Sequence, residues 1–354
     1  MDATKGNIYS ILNGNKQFLI PVYQRYYSWD IEQCKRLWND IVDMQKKNKQ
    51  GHFVGSIVNI AEQAMPTGVQ KYMIIDGQQR MTTLTLLLIA LRDYSIDHPK
   101  DTSINFLRID NMLLKNEYEN GDERYKLLLT ENDRDILINL IERKPISENT
   151  VSRLLTNYSF FVEQIEKNEL MPAEIYESIG KLQIVNITLD RAVDDAQAIF
   201  ESLNSTGKEL SESDLIRNYI LMGLENNEQR YIYEHFWRPM ELMFDYEKQG
   251  TIMDKFFRDY LTMKLIRIPK MDKVYEEFKL YHINCEFSSV ADLCEDLLKY
   301  AKYYTDMVFV RNSNHEIKNL YADVKDLRME VAFPFLLKVH NDCSEKVITE
   351  ENLI

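Results

Sequence analysis

Apolar and polar positions change period several times within the first hundred residues. "FLIPVYQRYYSW", Phe18 to Trp29, begins apolar and extended, and Pro21 disfavours a helix at Ile20. Ile31, Cys34, Trp38, Ile41 and Val42 then share one helical face, and Ser28 or Asp30 can cap the start of that helix. "HFVGSIVNI" and "KYMII" read as strands on either side of a turn at Pro66-Thr67-Gly68. An apolar helix follows Asp76-Gly77, so this region predicts alternating strand and helix.

From about Ser95 to Ile179 the text is helical and charged, with weak breaks at "HPKDTS", "ENGDE", "KPISENT" and "MPAE". "LQIVNITL", Leu182 to Leu189, is the clearest later strand. A helix then runs to Asn204-Ser205-Thr206-Gly207, and another starts near Ser211, with Asp214 at the third helical position as in a capping box. After Gly223 the pattern is helical and rich in aromatics, with the first turn of a new helix expected at Thr349. The expected fold is α+β and mainly helical. Residues 1–223 form a first domain with a helical insertion at about 95–179, and residues 224–354 form an all-helical second domain.

Composition agrees with a helical protein: 354 residues contain only 11 Gly and 8 Pro. The longest apolar run, Leu86 to Leu91, is too short to span a bilayer, and "MDATKGNIYSILNG" carries no secretory pattern. Cys34, Cys285, Cys294 and Cys343 are widely scattered, which suits free thiols in a reducing cytoplasm. The net charge of −13 counts against nonspecific coating of nucleic acid, because phosphate contacts require the opposite sign. DNA contact would then use a local basic patch, for which Lys46, Lys47 and Lys49 are candidates, although a solvated helix end describes them as well.

Three segments carry candidate chemistry. At the elbow, Asp-Gly makes an ordinary turn, since Gly77 accepts positive φ, and Thr82 and Thr83 can cap the helix behind it. Gln78, Gln79 and Arg80 remain at the tip, where unpaired helix amides and a guanidinium suit a phosphate. Asp76 can hold magnesium or orient water, and a glutamine can position that water. A turn held by its own hydrogen bonds explains the same residues with fewer assumptions. In the second segment, Tyr23, Tyr26, Tyr27 and Trp29 can stack on a base while Arg25 meets phosphate, or they can form a wall of the core. In the third, Asn204 to Gly207 can cradle an anion, or can simply end one helix before Ser211 caps the next.

Other chemistries lack their residues. There is no Walker-type phosphate loop, no G-x-S-x-G and no H-E-x-x-H. The six histidines stand apart, and His340 in "VHND" has too few partners for a His-Asn-His nuclease core.

Taken in order, "IPVYQRYYSW", "HFVGSIV", "IIDGQQRMTTLTLLL" and "FESLNSTGKELSESDLIRNYIL" resemble the N-terminal domain family of GmrSD-type restriction endonucleases. The resemblance runs from about Asn7 to Gly223 and rests on the Asp-Gly-Gln-Gln-Arg motif with its two flanking segments. It implies a small mixed sheet similar to ParB and sulfiredoxin, with a nucleotide-hydrolysing core. Asp76, Gly77, Gln78, Gln79 and Arg80 would meet the nucleotide, with Asp76 on a magnesium ion and Thr82 and Thr83 close by. Tyr23, Gln24 and Arg25 match the upstream motif, and Asn204, Gly207 and Asp214 the downstream one. Arg217 stands where relatives often carry lysine. Many relatives have a His-Asn-His-type nuclease domain that cuts DNA, often modified phage DNA; here that domain would either follow in a longer chain or act from another chain. The expected protein is thus a cytoplasmic antiphage NTPase module that can form a homo-oligomer. The alternatives are a non-catalytic sensor of modified DNA or nucleotide and, more distantly, a ParB-like DNA nickase.

Overall fold

The structure, a computed structural model, describes residues 1–62, 68–101, 103–190, 193–204, 210–244 and 249–353, and the chain divides into two compact units, Met1–Ser205 and Thr206–Ile354. The helix Glu212–Met222, assigned from sequence to the first domain, belongs to the second unit. Pro66 and Thr67 of the expected turn lie outside the described residues.

The first unit is built on a mixed sheet of six strands: β1 (Asp2–Gly6), β2 (Lys16–Leu19), β3 (His52–Ala61), β4 (Gln70–Asp76), β5 (Leu127–Leu128) and β6 (Leu182–Leu189). Their spatial order is β1-β6-β3-β4-β2-β5. β1 runs antiparallel to β6 and β4 antiparallel to β3, while the β3–β6, β2–β4 and β2–β5 pairs are parallel. The α+β, mainly helical reading holds.

One sheet face meets the main core. Ile57, Ile74, Leu182 and Ile184 point into it, together with α1 (Ile8–Leu12), α2 (Ile31–Lys46) and α3 (Gln78–Asp97). Val58, Ile60, Met73 and Ile75 are also buried but stand outside that cluster, and the helix Ala196–Asn204 packs against β4. The sheet therefore has helices on two sides, which explains why its central strands are apolar at successive positions.

Local rules set the helices. Asp30 caps α2, accepting from the Glu32 amide, and Gln33 returns a bond to the Asp30 amide. Cys34, Leu37, Trp38, Ile41 and Val42 make its inner face. By contrast, α3 is buried without a break from Met81 to Asp93, because it runs through the middle of the unit and has no solvent side. Each buried leucine along it contributes about 1.5–3 kcal/mol. Near its far end, buried Arg92 is neutralised by Asp93 at 2.8 Å and Asp110 at 2.5 Å and donates to the carbonyls of Leu140 and Ile141. That network ties α3 to the helical insertion.

The described part of the second unit is helical, around an aromatic core of Trp237, Phe256, Phe257, Tyr260, Phe278 and Tyr304. Trp237 stacks on Phe257 with ring centroids 5.9 Å apart. All four cysteines are free thiols. No helix among the described residues is long and apolar enough to cross a membrane.

Candidate functional site

The elbow between β4 and α3 begins with Gly77, whose φ of +92° lies in the left-handed region. A Cβ there would stand 2.9 Å from the Ser56 carbonyl oxygen and 3.1 Å from Ile57 Cα, so the backbone of β3 leaves room only for hydrogen. α3 starts directly at Gln78, with Gly77 as a cap that offers no side-chain acceptor. Thr82 and Thr83 are therefore not caps. Both are buried one turn inside the helix, and the Thr83 hydroxyl donates to the Gln79 carbonyl at 2.8 Å.

The polar side chains of the elbow separate into different roles. Gln79 is 7% exposed, and its carboxamide is held at both its oxygen and its nitrogen by the chain around Tyr26 to Trp29. Its Oε1 accepts from the Ser28 and Trp29 amides at 2.7 and 3.1 Å, and its Nε2 donates to the Tyr26 carbonyl at 3.2 Å. Gln78 is equally buried, yet its carboxamide makes no hydrogen bond among the described residues. The carboxylate of Asp76, half-buried at the end of β4, likewise has no hydrogen-bond or ion-pair partner among them.

Arg80 lies against β3. Its Nη1 donates to the Ser56 carbonyl, and the guanidinium covers Gly55, where φ is +114° and the β3–β6 register shifts. It forms no ion pair among the described residues. Burial pulls its pKa below the ordinary arginine value, and Asp76 offsets part of that effect. Gly55 and Ser56 were not singled out from sequence, although a glycine inside a strand signals a bulge or a close approach.

The upstream segment, residues 21–29, is a strap without helix or strand, pinned to this elbow. Gln24 Nε2 donates to the Ile75 carbonyl at 3.0 Å. The Tyr27 hydroxyl lies 2.6 Å from Thr83 Oγ1 and accepts from Asn157 Nδ2 at 3.0 Å. Tyr23 and Tyr27 are buried and Trp29 packs against the core, so these rings form a wall and are not open stacking surfaces. Arg25 and Tyr26 are half-exposed.

The downstream segment is only partly in view. Gly207 lies outside the described residues, as does the side chain of Asn204, whose backbone ends the helix Ala196–Asn204. Ser211 caps the next helix, accepting from the Asp214 amide at 3.1 Å. Asp214 pairs with Arg217 Nη2 at 2.7 Å, and Arg217 Nη1 pairs with Glu241 Oε1 at 2.7 Å. The Trp237 indole donates to the same Glu241 oxygen. Asp214 thus sits in a buried ion-pair group of the second unit.

A family model matches residues 8–221 and describes the GmrSD restriction endonuclease, N-terminal domain. The chain belongs to this family. No curated protein sequence matches it. The GmrSD N-terminal match spans the whole sheet from β2 onwards, the elbow, the strap and the Ser211-capped helix. It identifies the chain as carrying a domain of restriction endonucleases. Among the described residues, no three or more His, Cys, Asp or Glu side chains gather to hold a metal ion. His340 of "VHND" is packed away, 2.7 Å from the Tyr321 hydroxyl and stacked on Tyr303.

Proposed function

We propose that the elbow between β4 and α3 binds the phosphates of a nucleoside triphosphate and hydrolyses it, as a module controlling an HNH-type nuclease in a modification-dependent restriction protein. One observation carries this reading. A 20-residue helix opens with no side-chain cap, beside a guanidinium without an ion pair and a largely buried glutamine whose carboxamide has no partner, all among the described residues. Helix amides and a planar guanidinium are complementary to phosphate oxygens, and burial strengthens both. Arg80 would neutralise charge developing on the transferred phosphoryl group, and Gln78 would donate to an oxygen or hold the attacking water.

A magnesium ion fits Asp76 only as an ion held mainly by phosphate and water oxygens with a single protein carboxylate. It would supply charge neutralisation on the phosphates. DNA, including modified phage DNA, is the proposed target of the wider system. The nuclease domain would act in cis or in trans, in the cytoplasm, and a homo-oligomer is compatible with that arrangement.

The commitment of Gln79 to the strap favours a second reading, a non-catalytic sensor, because it removes one of the two candidate water-orienting groups. Phosphate release from ATP and GTP with magnesium separates the two. The hydrolase reading expects turnover that falls about 100-fold in Arg80→Ala; calorimetric binding without phosphate release would establish the sensor. Equal turnover by parent and Arg80→Ala would remove the elbow from consideration.

A further inference from the structure

We infer that Gln79 is a positioning residue, which locks the strap 21–29 to the first turn of α3 and does not orient water. The inference rests on the nucleotide reading of the elbow for its functional consequence, though not for its geometry.

The strap has no secondary structure of its own, so its backbone polar groups need partners from elsewhere. One carboxamide supplies three of them in a four-residue stretch: the Tyr26 carbonyl and the Ser28 and Trp29 amides. Both lone-pair directions of Oε1 are thereby occupied, and nothing remains on that oxygen to accept a proton from an attacking water. Glutamine meets this demand because a single planar group must both donate and accept; methionine has the length without either capacity.

Further bonds make the lock continuous. Asn157 Nδ2 donates to the Tyr27 hydroxyl, which can donate to Thr83 Oγ1, and Thr83 donates to the Gln79 carbonyl. Gln24 is fixed on Ile75, and Tyr26 is fixed on Gln79. Arg25 lies between those two anchors, so its backbone is held beside the elbow. Gln78, whose carboxamide has no partner among the described residues, is left as the glutamine that meets a ligand.

The test combines amide hydrogen exchange with nucleotide kinetics on the full chain carrying Gln79→Met or Gln79→Glu. In Gln79→Met, exchange at the Ser28 and Trp29 amides should rise about tenfold or more while amides in the middle of α3 keep their protection. KM for nucleotide should rise about tenfold, with kcat within about threefold of the parent. Gln79→Glu keeps the acceptor for the Ser28 and Trp29 amides and loses only the donation to the Tyr26 carbonyl, so those two amides should stay protected while KM still rises, and the test stays open should the methionine variant fail to fold. Unchanged strap exchange in Gln79→Met overturns the assignment. So does a fall in kcat of about 100-fold at unchanged KM, which marks a water-orienting group. If the parent neither binds nor hydrolyses nucleotide, the nucleotide reading falls and strap exchange alone decides the role of Gln79.

Discussion

Arg80 occupies the space that a side chain on residue 55 would need: a Cβ built on Gly55 would stand 2.6 Å from both Cζ and Nη2 of the guanidinium. The bulge at Gly55, with φ of +114°, gives the arginine a seat that any other residue would fill. Gly55→Ala should therefore displace Arg80 and strain the strand together. The expected result is a loss of about 1–3 kcal/mol in unfolding free energy, with weaker nucleotide binding by calorimetry. A variant that loses stability but binds as the parent does would detach Arg80 from the ligand.

Gly77→Ala meets a harder obstacle, because the Ser56 carbonyl and the Ile57 Cα stand in the way along with the Ile57 side chain, and backbone cannot swing aside as the end of an arginine can. The cost should be about 1–3 kcal/mol or more, and denaturant titration would show it as a lower midpoint at unchanged slope. A neutral result would mean that β3 yields at this point.

In the second unit, Glu241→Gln should cost about 1–3 kcal/mol, because buried Arg217 would keep its charge and lose one of the two carboxylates that pair with it among the described residues. Thermal unfolding measures the loss. Asp214→Asn strips the other side of the same guanidinium and should also destabilise. An Asp214 variant that kept its stability while losing nucleotide affinity would point to a ligand contact instead.

Lys126 gives a pH dependence. It is buried, its ammonium donates to the Gly14 carbonyl, and burial, with help from Lys16, pulls its pKa down to about 8 from the ordinary 10.5. At pH values below 8 the lysine is charged in both states, and the folded chain bears the cost of burying that charge. As pH rises from about 8 to 10.5 the unfolded chain holds more protons than the folded one, so this group makes stability increase across that window. Lys126→Met lacks the term. The stability difference between variant and parent should shift in the parent's favour as pH rises through the window, measured by denaturant unfolding at several pH values. A flat difference would refute the burial effect.

The readable parts of this fold were those that local physics determines. Leu182–Leu189 stands where its β-branched text places it, and α2 carries the apolar face and the Asp30 cap expected of it. β1 (Asp2–Gly6) escaped notice because it is polar and mostly exposed, and β5 because two residues hold no period. Thr82 and Thr83 read as caps from the sequence, but left-handed Gly77 lets α3 begin at Gln78, five or six residues earlier, without a side-chain cap. Gln79 was grouped with its neighbours because its partners, Tyr26, Ser28 and Trp29, lie some fifty positions upstream. Periodicity sees neighbours along the chain, whereas that carboxamide was fixed by a segment distant in sequence. Gly55 fell between the two cases, visible as a glycine inside a strand but not as the seat of an arginine.

β6 lies between β1 and β3 in the sheet, although it is the last of the six strands in the chain. During synthesis, β1 and β3 must wait for a common neighbour more than a hundred residues away, since Asp2 faces Thr188 and His52 faces Leu182. Until that strand leaves the ribosome, β3 keeps an unsatisfied edge beside exposed aliphatic side chains, the condition under which nascent chains recruit chaperones or adhere to one another. Assembly of this unit is therefore governed by the arrival of its final strand, and a slow translational pause before residue 182 would lengthen its most vulnerable interval.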